Sequence, residues 1–321
     1  MQTMVKSWRR ANSLHKSITI AFVIALALFI VGGLISPGFM GWGHVSQVLV
    51  LASFLGIAAG GQTLVILTGG IDLSIPALMT AGAIVASNLV AHNAHPLWLA
   101  VIVSIGLMAI VGGINGLGVV YVGIPPMVMT LGMNTLLLGA TLVYEYGQPF
   151  GTASPFVSRV VRGSWGPISY ELVIWIVLGV ALSVLMSRTV FGRKLYAVGT
   201  DILTTYFSGI SIPSAIVGVY AGSGVLAAVS GILLSGFTGY AALNMADPYQ
   251  LETIAAVVIG GASILGGRGH YLGTVAGSII VTVLTAILLV VNIPEGVRDI
   301  FYGFIILGAL FLYGRERTTR A

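Results

Sequence analysis

Between Lys16 and Glu145 this chain carries a single Asp, Glu, Lys or Arg. It is Asp72, in the stretch Leu64-Val65-Ile66-Leu67-Thr68-Gly69-Gly70-Ile71-Asp72-Leu73-Ser74. So long a run without charge is solvated by lipid and other protein, not by water. Yet this stretch breaks a hydrophobic span with two glycines and then presents a carboxylate. Lipid penalises both, because a freed backbone group and a charge are each costly unless protein or water satisfies them. A chain that holds both here uses them to line a path or to brace one.

The rest of the sequence agrees. Of 321 residues, 57% are hydrophobic and 7% are charged, against roughly a quarter charged in soluble domains. Apolar runs long enough to span a bilayer, about 20 residues each, recur from end to end. The expected fold is an all-α polytopic membrane protein with about ten transmembrane helices. They fall near 18–35, 46–68, 73–91, 97–122, 126–144, 170–187, 214–235, 252–266, 270–291 and 296–313. The eighth is short and broken by glycines, so it is expected to bend or to stop short of a full crossing. The first resembles a signal peptide, with Lys6, Arg9, Arg10 and Lys16 ahead of an apolar run. No small-x-small cleavage site follows it, only Ile35-Ser36-Pro37, so it reads as an uncleaved anchor and first span.

Loop charge orients the bundle. With the N-terminus inside, Lys6, Arg9, Arg10, Lys16, Arg188, Arg193, Lys194, Arg268, Arg315, Arg317 and Arg320 face the cytoplasm, 11 of the 14 basic residues. Arg159, Arg162 and Arg298 face outward, and the acids Glu145, Glu171, Asp247, Glu252 and Glu295 lean the same way. This asymmetry predicts an even number of spans with both termini cytoplasmic. It also accounts for the basic net charge without nucleic acid. Glycines four apart at Gly56/Gly60, Gly112/Gly116, Gly218/Gly222 and Gly273/Gly277 mark faces where helices approach closely. The longest outer loop, about 145–169, holds Pro149, Pro155, Arg159, Arg162, Trp165 and Pro167. It is either an ordered surface loop with an interfacial helix or a docking surface for an external partner.

Several chemistries are excluded or unsupported. There is no cysteine, hence no disulfide, zinc–thiolate site or thiol nucleophile. The five histidines (His15, His44, His92, His95, His270) fall in or near loops without ligand spacing, so no metal is expected. No Gly-x-Ser-x-Gly motif and no Walker A sequence appears, so the chain is not expected to be an enzyme or to supply its own ATPase. No run of intramembrane carboxylates and histidines suggests a proton relay, and Arg298 with Asp299 reads as an interfacial pair.

The polar groups that remain within the spans are mostly amides and hydroxyls. Asp72 or Ser74 can cap the third span, with Pro76 at an early helical position. Such a cap can also sit at the inner mouth of a pathway. Asn115 in Gly112-Gly113-Ile114-Asn115-Gly116 needs a partner on another helix and is either a brace or a substrate contact. Gln47, Gln62, Thr130 and Asn134 are similar, and as a set they suit a neutral polyhydroxylated solute. The cytoplasmic segment from Arg188 to Ile210 is partly apolar (Ile202, Leu203, Tyr206, Phe207) and can form a short helix from about Thr200 or Asp201. Such a helix lies on lipid or enters a partner's groove.

At these residues the chain resembles a known family, the ribose/xylose/arabinose permeases of bacterial ABC importers. Ile66-Leu67-Thr68-Gly69-Gly70-Ile71-Asp72-Leu73-Ser74 is similar to that family's signature. Ile114-Asn115-Gly116, Ile124-Pro125-Pro126 and Thr130-Leu131-Gly132 resemble its fourth-to-fifth span junction. Phe191-Gly192-Arg193, Tyr196-Ala197-Val198-Gly199 and Ser208-Gly209-Ile210 resemble its ATPase-coupling loop. Tyr249 to Glu252, Ile254 to Gly261 and Gly266-Gly267-Arg268-Gly269 resemble its C-terminal signature. The four blocks stand in family order and span about 45–313.

The resemblance implies ten spans in two inverted bundles (spans two to five and seven to ten), a second permease subunit, and two cytosolic ATPase modules that carry ATP-Mg. It also implies a periplasmic sugar-binding protein and a bacterial inner-membrane location. The chain itself would hold no cofactor. It divides into a cytoplasmic N-terminus (1–17), the first span with the N-terminal bundle and connecting span (18–187), the coupling loop (188–212), the C-terminal bundle (213–313) and a tail (314–321). On this reading Gln62, Thr68, Asp72, Asn115, Thr130 and Asn134 serve the substrate path. Phe191, Gly192, Arg193, Gly199, Asp201 and Gly209 serve ATPase coupling. Two departures stand out. Thr200-Asp201-Ile202-Leu203-Thr204-Thr205-Tyr206 lacks the family's acidic pair and Ala-Ala-Arg, and Ile75-Pro76-Ala77 replaces Val-Gly-Ser. The first predicts pairing with a different permease whose loop keeps those charges. The rival function is an ion-coupled secondary transporter, and a third is a structural or receptor-like membrane protein.

Overall fold

Alternating apolar runs and glycine- or proline-marked breaks give a helical chain. The computed structural model describes residues 2–91, 95–145 and 151–318. The side chains of 2–17 and 312–318 lie outside that description, and with them Lys6, Arg9, Arg10, His15, Lys16, Arg315 and Arg317; so do His92, Pro149 and Arg320. The helices are α1 (Gln2–Ile35), α2 (Trp42–Leu67), α3 (Ile75–Ala91), α4 (Leu97–Leu117), α5 (Pro126–Tyr144), α6 (Pro155–Arg162) and α7 (Tyr170–Arg188). They continue with α8 (Val190–Thr200), α9 (Ile202–Phe207), α10 (Ile212–Thr238), α11 (Tyr249–Ile259), α12 (Tyr271–Val290) and α13 (Glu295–Thr318). Two antiparallel ribbons of two-residue strands are the minor departure from an all-helical chain. Gly151–Thr152 pairs with Tyr240–Ala241, and Ser164–Trp165 pairs with Ile168–Ser169.

Among the described residues seven helices are long and apolar enough to cross a membrane: Ile18–Ile35 of α1, α2, α4 with its wide turn to Val122, α5, α7, α10 and α12. The chain is therefore an α-helical, multi-pass membrane protein. The third span starts later than expected, and the eighth, expected to be short, ends earlier still. Helix α3 begins only at Ile75, and α11 stops at Ile259 rather than running to 266. At 1.5 Å per residue the 11 residues of α11 rise about 16 Å, roughly half the hydrocarbon core. The uncharged part of α13 runs from Ile300 to Gly314, with Glu295, Arg298 and Asp299 in its first turns.

Helices α2 and α10 form the centre. Helix α2 is buried almost all round from Val48 to Leu67, as expected of a helix that is apolar on every face. Helix α10 packs on α2, α3 and α4. The predicted glycine faces hold these contacts: a Cβ at Gly112 would lie 2.2 Å from Tyr220 O, and one at Gly116 would lie 2.6 Å from Val217 Cα. Gly224 and Gly231 of α10 press on Met108 O and Met79 O in the same way. Helix α5 by contrast buries one stripe, Thr130, Met133, Leu137 and Thr141. Its other face, with Val128, Leu136 and Val143, is exposed and apolar, as suits lipid or another membrane helix.

The outer loop folds into α6 and a hairpin turning at Gly166, with Trp165 exposed at its tip. Glu171, one of the acids expected on the outer side, is fully buried in the first turn of α7 and accepts a hydrogen bond from Ser53 Oγ at 2.9 Å. The reason is packing: Trp175, one turn on, lies against Gly56 of α2 and draws the start of α7 into the bundle.

Candidate functional site at the broken helices

The Gly-Gly break is a helix stop that only glycine makes cheaply. Gly69 N donates to Ile66 O at 2.9 Å and Gly70 N donates to Val65 O at 3.2 Å, the paired bonds of a glycine C-cap. Gly69 sits at φ +84, where a side chain would be strained. The chain then turns into Asp72, which is 1% exposed. Its carboxylate accepts from Ser74 N at 2.9 Å, Ser74 Oγ at 2.5 Å and Ser223 Oγ at 2.7 Å. Ser74 Oγ accepts in turn from Asn115 Nδ2 at 2.9 Å. One carboxyl group thus ties the break to α4 and α10 at the N-terminal end of α3.

Helix α5 finishes the cap. Thr130 Oγ1 accepts from Leu73 N at 3.0 Å and lies within reach of Pro126 O and Ile71 O. Asn134 Oδ1 accepts from Ala77 N at 3.3 Å, in the first turn of α3. So of the six expected path residues, Asp72, Asn115, Thr130 and Asn134 converge on one helix start. Thr68 stays local, donating to Val65 O at 2.8 Å. Gln62 stands apart, fully buried one and a half turns back in α2, and neither amide atom has a partner. Ser223 and Tyr220 of α10 were not singled out from the sequence. Tyr220 is buried beside Gly70, with its hydroxyl unpaired.

A second broken segment meets the first. Helix α11 ends in the same cap: Gly261, at φ +87, donates to Val258 O at 2.9 Å, and Ala262 N donates to Val257 O at 3.2 Å. The loop closes with Ser263 N donating to Arg268 O at 2.8 Å. Gly267 N then donates to Leu67 O, the end of α2, at 2.9 Å.

The expected coupling loop is itself helical and clamps both segments. Thr189 caps α8 by accepting from Gly192 N at 3.1 Å. Gly192 lies so close to α7 that a Cβ would fall 2.1 Å from Met186 O. Phe191 packs toward Gly218 of α10, while Arg193 points outward. At the other end of α8, a Cβ on Gly199 would lie 1.8 Å from Leu67 O and 2.5 Å from Gly267 N. Tyr196 donates to Gly269 O at 2.8 Å, and burial pushes its phenol up to about 12. Asp201 caps α9 by accepting from Thr204 N at 2.9 Å, and Gly209, at φ +74, ends it. Helix α9 leaves Ile202, Leu203, Tyr206 and Phe207 exposed.

A lipid-embedded bundle with two broken helices clamped by one exposed linker is the architecture of a permease. Among the described residues no group of His, Cys, Asp and Glu is placed to hold a metal. A family model described as "Branched-chain amino acid transport system / permease component" matches residues 44–310. The chain belongs to that permease family, on its branch of monosaccharide ABC importers. It is 32% identical over 294 residues to the ribose import permease protein RbsC of Bacillus subtilis, covering 91% of each chain. It is 31% identical over 271 residues to the fructose import permease protein FrcC of Rhizobium meliloti, covering 82% of this chain and 75% of that one. It is 30% identical over 303 residues to RbsC of Escherichia coli K12, covering 92% and 94%. These relatives are permease subunits and not ATPases. No solved structure matches the chain at a significant level.

Proposed function

We propose that this chain is the transmembrane subunit of an ABC importer in the bacterial inner membrane, carrying a pentose, hexose or related polyol by alternating access. Ten helices cross or enter the bilayer (α1–α5, α7 and α10–α13), with both termini in the cytoplasm. Helices α2–α5 and α10–α13 form two groups of opposite topology. In support, each group's second helix (α3, α11) is a short one beside a glycine-capped break. Helices α8 and α9 meet the separate ATPase that holds ATP-Mg, a periplasmic binding protein delivers sugar outside, and a second permease completes the complex. The chain performs no covalent chemistry.

The observation that carries this reading is the clamp at Gly199. A push on α8–α9 reaches the end of α2 and the 262–269 loop directly, because no side chain lies between them to absorb it. The polar residues at the α3 cap hold the break rigid, so that motion is passed on and not dissipated. The apolar face of α9 carries no acid of its own, which favours a partner permease that differs in sequence. The test is purification of the intact complex, with subunit masses and ATP hydrolysis measured with and without sugar-loaded binding protein. The reading expects an ATPase, two permease species and stimulation by the loaded binding protein. Absence of any ATPase defeats the importer reading, and a single permease species defeats the mixed pairing.

A further inference from the structure

Three fully buried polar groups without an adequate partner stand on α2, α3 and α11, helices that pack on one another. Gln62 is 0% exposed, and neither its Oε1 nor its Nε2 has a hydrogen-bond partner. On α2 it falls on the stripe of Leu55, Ala59 and Ile66, which packs with Ile254 to Val258 of α11. Thr80 is also 0% exposed, with Oγ1 unpaired. On α3 it lies one turn before Ala83 and Ile84, which pack on the 241–245 segment that leads into α11. Thr253 of α11 is buried as well, and its one hydrogen bond, to Gln250 O, is long at 3.4 Å. Other buried hydroxyls, such as those of Ser223, Ser230 and Thr63, are well bonded, whereas Tyr220 and Ser169 are unpaired singly; among the described residues Gln62 is the buried amide with neither end bonded. An unsatisfied amide in an apolar seam destabilises the closed packing. Such groups are expected where a second arrangement supplies the missing partner.

Helix α11 is the element placed to supply that arrangement. Its C-terminal half lies on α12 across glycines: a Cβ at Gly273 would be 2.0 Å from Gly260 O, and one at Gly277 would be 1.9 Å from Ala256 O. The backbones meet directly there, with Ile259 packed on Ala276 and Ile280 and with Val281 beside the Ile254 to Val258 stretch, and a contact between packed helices of this kind can shear. Helix α12 is by contrast bonded to α2, through Thr63 with Thr274 at 2.7 Å and Tyr271 OH to Gly56 O at 3.0 Å. The free end of α11 joins the loop that α8 holds through Tyr196 and Gly199.

Resting on the importer reading above, we propose that the α2–α3–α11 seam is a closed substrate subsite. In it the Gln62 amide and the Thr80 and Thr253 hydroxyls bind the hydroxyls of a neutral sugar when α11 slides on α12. A carboxamide offers two donors and an acceptor, and a hydroxyl offers one of each, which matches adjacent sugar hydroxyls and no charged solute.

The chain has no cysteine, so a single one is a clean reporter. Gln62→Cys and Thr80→Cys are made in the complete complex and treated with a membrane-permeant maleimide, at rest and during ATP-driven turnover with sugar-loaded binding protein. Labelling is expected to rise at least tenfold on turnover, and excess sugar is expected to slow it. In parallel, Gln62→Leu is expected to assemble with unchanged or raised thermal stability, since it removes an orphaned polar group. Its uptake per assembled complex should fall about tenfold, one lost sugar hydrogen bond. Labelling that is independent of turnover, or a Gln62→Leu complex with full uptake, overturns the subsite. So does a Gln62→Leu complex that is destabilised and loses uptake only in proportion, since that is a structural role. Absence of ATP-driven uptake in the wild-type complex is a different result and falls on the importer reading.

Discussion

Gly199→Ala tests the clamp at its tightest point. The added Cβ would stand 1.8 Å from Leu67 O, whereas real Cβ atoms essentially never come within 3.0 Å of a neighbour. The end of α8 must therefore retreat by about 1.2 Å, because Leu67 O is backbone and cannot rotate aside. Retreat also strains the 2.9 Å bond from Gly267 N to the same oxygen. Overpacking of this kind costs about 1–3 kcal/mol, and a weakened backbone hydrogen bond adds about 1 kcal/mol. Two assays read the result: thermal unfolding of the purified complex, and the ratio of sugar imported to ATP hydrolysed. The account predicts lower thermal stability and a ratio reduced several-fold, with hydrolysis persisting, since α9 keeps the exposed face proposed to meet the ATPase. Gly106→Ala in α4 is the control. Nothing lies within 4 Å of its new Cβ, so it should be neutral or stabilising by up to about 1 kcal/mol. If the Gly199→Ala complex matches wild type in both assays, the reasoning about α8 is wrong.

Four further outcomes follow from the same geometry. Asp72→Ala orphans Ser74 N, Ser74 Oγ and Ser223 Oγ, so it should destabilise the complex by about 3–5 kcal/mol; Asp72→Asn, which keeps an acceptor, should cost less, as thermal unfolding will show. Tyr196 has its phenol raised by burial from 10.0 to about 12, so its neutral form stabilises the fold fully below pH 10 and loses that contribution as pH rises toward 12. Tyr196→Phe should therefore flatten part of the alkaline loss of stability while weakening the fold near neutrality by about 1 kcal/mol, measured as unfolding temperature against pH. Gly277→Val, placing a branched side chain where a Cβ already meets Ala256 O at 1.9 Å, should prevent a folded complex from being recovered in detergent. Single cysteines at Trp165 and Arg193 should react with impermeant maleimide from opposite sides of the membrane, and reaction from one side would refute the even-span topology.

Much of this architecture is readable in the residues, and the limits have physical causes. The break at Gly69–Asp72 announces itself because two glycines and a carboxylate are unaffordable in a plain span. The glycines at Gly112, Gly116, Gly273 and Gly277 announce their contacts through four-residue spacing. Gly260 and Gly261 announce that α11 is broken, but not the residue where it stops, because the apolar residues run on through Ala262 and Ile264, which stay buried in a loop. The two cap bonds, from Gly261 N and Ala262 N, fix the exact end. Ser223 was missed because α10 holds several serines, and tertiary packing alone decides which of them meets Asp72. Ser230, two turns on, bonds Phe54 O instead. Gly224 and Gly231 were missed because they repeat at seven and not four, a spacing that a search for coiled-coil-like seams would have found. The segment from Arg188 to Ile210 reads as a loop with one short helix. Its first half is helical too, because Thr189 supplies the cap and tight packing against α7 selects glycine at 192.

The account stands most directly on where the energy for transport comes from. Proteoliposomes holding the complete proposed importer should concentrate at least one of a panel of labelled monosaccharides when ATP-Mg is present on the ATPase side, and stop when it is withdrawn. Vesicles with this chain alone should do nothing under an imposed proton or sodium gradient. Uphill accumulation by the chain alone, driven by such a gradient, would contradict the account.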